Sequence, residues 1–252
     1  MSRFSPDSSL VDRVVPSPNQ GERRVARPDM LLLHYTGMPD ADAALKRLCA
    51  PHSEVSAHYL VFEDGKIAQL VPEARRAWHA GVSFWAGVRD INSHSIGIEI
   101  ANPGHDNGYP DFPDAQIEGV IALCRDIVAR HPMRPERVLA HSDVAPARKQ
   151  DPGEKFPWER LHAVGVGHWV APAAIEGGAV LAIGDSGPGV RALQEDLAAY
   201  GYGITATGHY DEATAEVVLA FQRHFRPARI DGVADVSMVR TLEELRQKSS
   251  IV

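Results

Sequence analysis

Two histidines and an aspartate are placed where their side chains could bind one metal ion together. His34 ends the apolar stretch MLLLH, His141 ends the stretch VLAH, and Asp151 follows in ARKQDPG. Two imidazoles and one carboxylate are a common ligand set for catalytic zinc, with water in the fourth position. Lys149 would project to the same side as Asp151 in an extended segment, because side chains there repeat every two residues. These residues indicate a Zn²⁺ site beside an ammonium group.

The same spacing permits two other interpretations. His34 and His141 could be strand-end histidines that bond to the backbone, with Asp151 capping a turn. Asp143 is a rival ligand, although it shares a side with His141 only if that strand continues. A dispersed triad is less specific than two histidines on one helical turn, so the residues alone leave these alternatives open.

Glu99 interrupts an otherwise apolar strand, SIGIEIAN. The isoleucines alternate onto one face of that strand, while Gly97, Glu99 and Ala101 occupy the other. A carboxylate in an apolar strand costs free energy unless it is paired or solvated. Its two small neighbours predict space for water or substrate, which makes Glu99 a candidate catalytic base. A buried salt bridge to Arg or Lys is the alternative interpretation.

The elements that must position these groups alternate between strands and helices up to about Gly165. The predicted elements are strand MLLLHYT, helix DADAALKRLCA, a hairpin in AHYLVFEDGKIAQLV that turns at Asp64-Gly65, strand SIGIEI, helix AQIEGVIALCRDIVAR and strand VLAH. Strands interleaved with helices predict an α/β domain.

The pattern changes after this domain. A stretch rich in small residues, AVGVGHWVAPAAIEGGAV, precedes three short predicted helices in PGVRALQEDLAAYG, EATAEVVLAFQRHF and DVSMVRTLEELRQ. The sequence therefore divides into an N-terminal extension (1–29), an α/β domain (30–165), a linker (166–183) and a helical unit (184–248). Three short helices enclose only a small core, so we expect this unit to lean on its neighbour.

Composition limits the partners and the compartment. The net charge of −7 argues against nucleic acid, whose phosphates require a basic surface. No segment has the apolar length of a membrane span, so no membrane insertion is expected. Cys49 and Cys124 lack a second cysteine at metal-site spacing and are predicted to be free thiols. The first thirty residues lack a signal-peptide core, which predicts a cytoplasmic protein if Met1 is the native start.

The region from roughly Met30 to Trp158 resembles the type-2 family of N-acetylmuramoyl-L-alanine amidases. The matching stretches, in the order of that family, are LLLHYT, VSAHYLVFEDGKIAQLV, AWHAGVSFW, INSHSIGIEIAN and AHSDVAPARKQDPG. The resemblance implies a mixed central sheet flanked by helices. It also implies Zn²⁺ held by His34, His141 and Asp151, with Glu99 and Lys149 as the catalytic pair. Either member of that pair could protonate the leaving amine.

The resemblance also suggests four substrate contacts. His79 in AWHAG and His58 in VSAHY could touch substrate or orient a metal ligand, and the supporting role is favoured. Arg148 could bind a stem-peptide carboxylate through its planar guanidinium, or be solvated. Trp85 is the fourth candidate substrate contact.

The helical unit resembles the type 1 peptidoglycan-binding module. The resemblance rests on GDSGPGVRALQEDLAAYGY, TGHYDEATAEVVLAFQRHF and IDGVADVSMVRTL. The family implies binding of carbohydrate or stem peptide by a small helical bundle. The alternative is that the unit only packs against the catalytic domain.

Together these features predict a zinc amidase that cleaves the lactyl amide between (anhydro-)N-acetylmuramic acid and the L-Ala of stem peptides. Its expected partners are muropeptides, and the N-terminus favours cytoplasmic recycling of peptidoglycan fragments. An envelope or lytic amidase acting on intact peptidoglycan is one alternative. A peptidoglycan-binding protein without catalysis is the other, although all five expected metal and catalytic positions are filled.

Overall fold

A mixed sheet forms the centre of the molecule in the computed structural model, which describes residues 4–249. Its strands are β1 (Arg13–Val14), β3 (Met30–Tyr35), β4 (Tyr59–Val61), β5 (Ile67–Gln69), β7 (Ser95–Ile100) and β8 (Val138–Ala140). The strand order is β1-β5-β4-β7-β3-β8. Only β4 and β5 are antiparallel, while the other neighbours are parallel. The predicted mixed sheet is confirmed.

Helices flank the sheet and form the C-terminal unit. They are α1 (Ala41–Cys49), α2 (Ile91–His94), α3 (Asp114–Arg130), α4 (His141–Val144), α5 (Trp158–Ala163), α6 (Pro188–Tyr200), α7 (Glu212–Phe225) and α8 (Val236–Lys248). Asp211 and Asp235 cap α7 and α8, because their carboxylates accept backbone N–H groups of the first turn. In residues 4–249 no helix combines the length and the apolarity needed to cross a membrane.

The described part of the N-terminal extension adds strands to this framework. Strand β1 pairs in parallel with β5 at one edge of the sheet. Strand β2 (Gln20–Glu22) pairs with β6 (Arg75–Ala77) in a separate antiparallel ribbon. Asp7 also accepts the backbone N–H of Glu73 at 2.9 Å. Residues 4–29 therefore pack as part of the α/β structure.

The two faces of the sheet are buried against different partners. Leu31 and Leu33 of β3 pack with the isoleucines of β7 and with α3, in one hydrophobic cluster. The alternate residues Met30 and Leu32 belong to a second cluster that includes the apolar faces of α6, α7 and α8. Because side chains alternate along a strand, β3 is buried on both sides. The C-terminal helices thus cover the face of the sheet to which His34 also points.

Trp85 corrects one of the sequence predictions. Its side chain is fully buried in the cluster shared by the sheet and the C-terminal helices. The indole packs edge-on against Tyr202, with ring centroids 4.9 Å apart, and its Nε1–H donates to the Glu136 carbonyl at 3.2 Å. A side chain with no exposed surface cannot contact substrate, so Trp85 is a core residue that joins the two units.

We predict that the α/β structure and the C-terminal helices unfold in one transition and that Trp85→Ala destabilises both. Removing a buried aromatic side chain should lower the free energy of unfolding by about 3–5 kcal/mol. Denaturant titration followed by circular dichroism measures this change. Val82→Ala is the control, since Val82 is 86% exposed and should change the free energy by only about 0.5 kcal/mol. Two separate transitions would contradict the shared core.

Candidate metal centre

Three ligand atoms meet at one point although their residues are distant in the chain. Nδ1 of His34 lies 2.9 Å from Nδ1 of His141, and each lies 3.0 Å from Oδ2 of Asp151. All three residues are buried, and within residues 4–249 they form the one group with a metal-ligand arrangement. The structure therefore brings together the three residues predicted as ligands.

A chain of hydrogen bonds sets the tautomer of His34. The hydroxyl of Ser95 donates to the Ile91 carbonyl at 2.7 Å, so its oxygen must accept from Nε2–H of His79 at 3.2 Å. Nδ1 of His79 is then unprotonated and accepts from Nε2–H of His34 at 3.0 Å. This leaves Nδ1 of His34 with a free lone pair directed at the other two ligand atoms.

His141 is set in the same way by a backbone group. Its Nε2 lies 3.0 Å from the Ala80 carbonyl, which can only accept, so Nε2 carries a proton and, in the neutral imidazole, Nδ1 keeps its lone pair. Two imidazole nitrogens and a carboxylate oxygen therefore point at each other. A cation at their centre would stabilise this arrangement.

These donors fit Zn²⁺ in type and spacing. Zinc bonds of about 2.0–2.2 Å in a tetrahedron separate the ligand atoms by roughly 3.3 Å, a few tenths of an ångström more than the 2.9–3.0 Å found here. Burial and the neighbouring His141 lower the pKa of His34 to about 4, which keeps that imidazole neutral. Burial opposes ionisation of Asp151, but His141 and His34 hold the pKa of its carboxyl well below the usual range. The site offers a neutral imidazole at His34 and an ionised carboxylate at Asp151, as a metal requires.

The backbone brings His141 and Asp151 together. His141 begins α4 directly after β8, and the N–H of Ser142 donates to the Asp151 carbonyl at 3.0 Å. The loop between them is tightened by the N–H of Lys149, which donates to the Ala145 carbonyl at 3.0 Å. These bonds close the loop so that Lys149 and Asp151 both line the cleft at the metal site.

Glu99 lies beside the metal ligands with one oxygen unpartnered. Strands β3 and β7 pair His34 with Glu99, so the two side chains are neighbours on one face of the sheet. Oε2 of Glu99 is buried and has no hydrogen-bond partner within residues 4–249. Burial raises the pKa of Glu99 well above its usual range, Asp151 raises it further, and Lys149 opposes them. A buried carboxylate oxygen without a donor is suited to accept a proton from a bound water.

The open space around these groups is a cleft of about 430 Å³. His79, Lys149 and Arg148 all line it, together with the metal ligands and Glu99. The Arg148 guanidinium donates to the carbonyls of Ala80 and Val82 at 3.0 and 2.5 Å, which holds it at the rim. The cleft therefore places an ammonium and a guanidinium beside the candidate metal and base.

His79 and Gly97 refine the predicted surroundings of Glu99. A Cβ on Gly97 would lie 2.5 Å from Nδ1 of His79. The His79 ring therefore occupies the space beside Gly97 that was predicted to hold water or substrate. His79 contacts the ligand residue His34 and also lines the cleft, so its supporting role and its substrate contact both stay predictions. Ser95 completes the chain of hydrogen bonds through His79 to His34 but was not predicted from the sequence. Alternation along β7 places it on the same face as Gly97 and Glu99.

Two other candidates lie outside the metal site. His58 is fully buried, and its Nδ1 accepts the backbone N–H of Gly97 at 2.9 Å. It has no surface for substrate, so the prediction of a substrate contact is wrong. Asp143 is also fully buried, but its carboxylate faces Tyr202, in the loop after α6, and His224 of α7. It is not a ligand, because the chain turns into α4 at His141 and the strand does not continue.

Comparison with known families agrees with this geometry. The family model for N-acetylmuramoyl-L-alanine amidase matches residues 24–154, more than half of the chain. The chain belongs to the N-acetylmuramoyl-L-alanine amidase family. A second model, described as a "Putative peptidoglycan binding domain", matches residues 186–242 of this amidase.

Relatives of this amidase include proteins similar to both of its parts. AmiD, an N-acetylmuramoyl-L-alanine amidase of Escherichia coli K12, is 38% identical over 241 residues, covering 91% of this chain and 86% of AmiD. AmpD, the 1,6-anhydro-N-acetylmuramyl-L-alanine amidase of Enterobacter cloacae, is 37% identical over 174 residues, covering 62% of this chain and 91% of AmpD.

Solved structures show the same fold over almost the whole amidase. The E. coli AmiD complex with anhydro-N-acetylmuramic acid-L-Ala-D-γ-Glu-L-Lys has a TM-score of 0.77 at 37% identity, covering 92% of this chain and 94% of AmiD. AmpDh3 from Pseudomonas aeruginosa has a TM-score of 0.74 at 33% identity, covering 98% of this chain and 99% of AmpDh3.

We predict that Ser95→Ala weakens metal binding without unfolding this amidase. The variant removes the acceptor that sets the tautomer of His79 and, through it, of His34. Zn²⁺ affinity should fall roughly tenfold, as for other groups that orient a metal ligand. Competition with a chromogenic chelator measures the dissociation constant. Ser93→Ala is the control, because Ser93 is equally buried but accepts from the backbone of Arg24 instead. Equal Zn²⁺ affinities of Ser95→Ala and Ser93→Ala would contradict the role of Ser95 in setting the tautomer of His79.

Proposed function

We propose that this chain is a zinc-dependent amidase that hydrolyses the bond between the lactyl group of (anhydro-)N-acetylmuramic acid and the L-Ala of a stem peptide. The observation that carries the proposal is Oε2 of Glu99, which is buried, has no hydrogen-bond partner among residues 4–249 and lies on the same sheet face as the ligand residue His34. A metal site next to a carboxylate without a donor suits hydrolysis by an activated water.

The ligand residues would hold the metal, and Glu99 would move the proton. Zn²⁺ bound by His34, His141 and Asp151 would supply a Lewis acid and an acidified water. Glu99 accepts a proton from the attacking water at its unpartnered oxygen. The water oxygen bonds to the lactyl carbonyl carbon.

Lys149 would stabilise the charge that develops on the carbonyl oxygen. It lines the cleft with the metal ligands, and its ammonium is a donor available before the reaction begins. Glu99 then returns its proton to the alanine nitrogen as the carbon–nitrogen bond breaks. The products are the lactyl carboxylate of the sugar and a peptide with a free amino terminus.

The relatives support a muropeptide as the substrate. AmpD is named for 1,6-anhydro-N-acetylmuramyl-L-alanine, and the AmiD complex holds an anhydro-muramyl tripeptide. The match to AmiD covers 91% of this chain and so includes both of its parts. We propose that soluble anhydro-muropeptides are the preferred substrates and that the role is recycling of peptidoglycan fragments in the cytoplasm.

We predict that Glu99→Gln keeps the metal but loses turnover. Glutamine preserves the shape of the side chain and cannot accept the proton, so kcat should fall by about 10²–10⁴-fold. Turnover of an anhydro-muramyl tripeptide and zinc content by atomic emission are the two measurements. Glu63→Gln, at the exposed hairpin turn, is the matched control and should retain full activity. A normal rate in Glu99→Gln would contradict its role as the base.

We predict that anhydro-muropeptides are cleaved to a free stem peptide and that a chelator stops the reaction. Mass spectrometry of the products identifies the bond that is cut, and restoring activity with Zn²⁺ identifies the metal. Parallel digestion of purified sacculi tests the role. Activity confined to sacculi would overturn recycling while leaving the amidase reaction intact.

A further inference from the structure

The C-terminal helices are built onto the sheet that carries the metal site. Met30, Leu32 and Leu139 of the sheet lie in one hydrophobic cluster with the buried side chains of α6, α7 and α8. A Cβ on Gly201, where α6 ends, would lie 2.6 Å from the ring of Trp85. Such close packing differs from that of a module tethered by a linker.

A buried carboxylate connects this unit to the metal ligand His141. Asp143 is fully buried, and its Oδ1 accepts from the hydroxyl of Tyr202 at 2.8 Å. Its Oδ2 accepts from Nδ1–H of His224 at 2.7 Å and from the N–H of Ala140 at 2.8 Å. Ala140 and Asp143 stand on either side of His141 in the chain. One carboxylate thus ties the backbone on both sides of a ligand to two side chains of the C-terminal unit, Tyr202 in the loop after α6 and His224 in α7.

The ring of His224 is held in place by aromatic contacts. It stacks on the rings of Trp158 and Phe225, with distances between ring centroids of 3.7 and 3.8 Å, and its side chain is 2% exposed. A buried carboxylate requires hydrogen-bond donors, and one left without them costs several kcal/mol or moves. The backbone at Ala140 supplies one donor to Asp143, and the C-terminal unit supplies the two side-chain donors.

We infer that the C-terminal helical unit forms part of the scaffold of the metal centre, in which Tyr202 and His224 are positioning residues that fix His141 through Asp143. The inference rests on the proposed zinc site. It assigns the unit a role in metal binding that is independent of any affinity for peptidoglycan. Loss of either donor should let α4 shift and carry Nδ1 of His141 away from the other ligand atoms.

The experiment compares Tyr202→Phe and His224→Phe with Tyr210→Phe in the full chain. Tyr202→Phe keeps the ring and removes only the hydroxyl that donates to Asp143, and His224→Phe replaces the imidazole by a slightly larger aromatic ring that has no donor. Tyr210→Phe removes an equally buried hydroxyl of the same unit, whose partner is the Gly232 carbonyl at 2.7 Å. The dissociation constant for Zn²⁺ is measured by competition with a chromogenic chelator, with no substrate present.

We expect the dissociation constant to rise roughly tenfold in Tyr202→Phe and in His224→Phe, and by less than about twofold in Tyr210→Phe. In the metal-free protein, amide exchange of residues 141–145 should be faster in the first two variants and unchanged in the third. Wild-type affinity and exchange in folded Tyr202→Phe and His224→Phe would overturn the inference and leave the proposed function standing. A wild-type chain that binds no Zn²⁺ would overturn the metal centre itself.

Discussion

The convergence of three ligand atoms from distant parts of the chain is the constraint around which this molecule is organised. Nδ1 of His34, Nδ1 of His141 and Oδ2 of Asp151 lie within 3.0 Å of one another. Each imidazole makes an outward hydrogen bond through Nε2, which orients the ring and, in the neutral form, leaves the Nδ1 lone pair for a metal. Packing elsewhere must hold the three side chains in this arrangement, and a bound cation would stabilise it.

The sheet supplies that packing, and its two faces differ in what they pack against. The face of Leu31 and Leu33 is a continuous apolar layer against α3. The opposite face changes character along each strand, from Met30 and Leu32 in a core to His34 at the cleft. On β7 the corresponding positions run from Ser95 through a glycine to the candidate base. The alternation of side chains along the strands therefore places Ser95, His34 and Glu99 on one face of the sheet, while the opposite face stays apolar.

The C-terminal unit illustrates how a small helical domain gains stability and function together. Its three helices enclose little apolar surface alone, and the sheet face provides the rest. The same contact brings donors to Asp143, a residue whose neighbours in sequence include a metal ligand. Packing and positioning are thus properties of one interface, which links Tyr202 and His224 to Asp143 across 59 and 81 residues of the chain.

The sequence by itself predicted the candidate ligands, the candidate base and most of the elements. Alternation in MLLLHYT and SIGIEI placed His34 and Glu99 on defined strand faces, the Asp64-Gly65 turn defined a hairpin, and the family motifs named the ligand set. These are local patterns, readable because backbone geometry repeats every two or four residues. Only the tertiary structure decided the roles of Trp85, His58 and Asp143. Each is a residue whose type permits binding, and its burial depends on which distant element packs over it, here mainly the C-terminal helices and β7. No local period encodes that choice, because it is made by contacts between residues far apart in the chain.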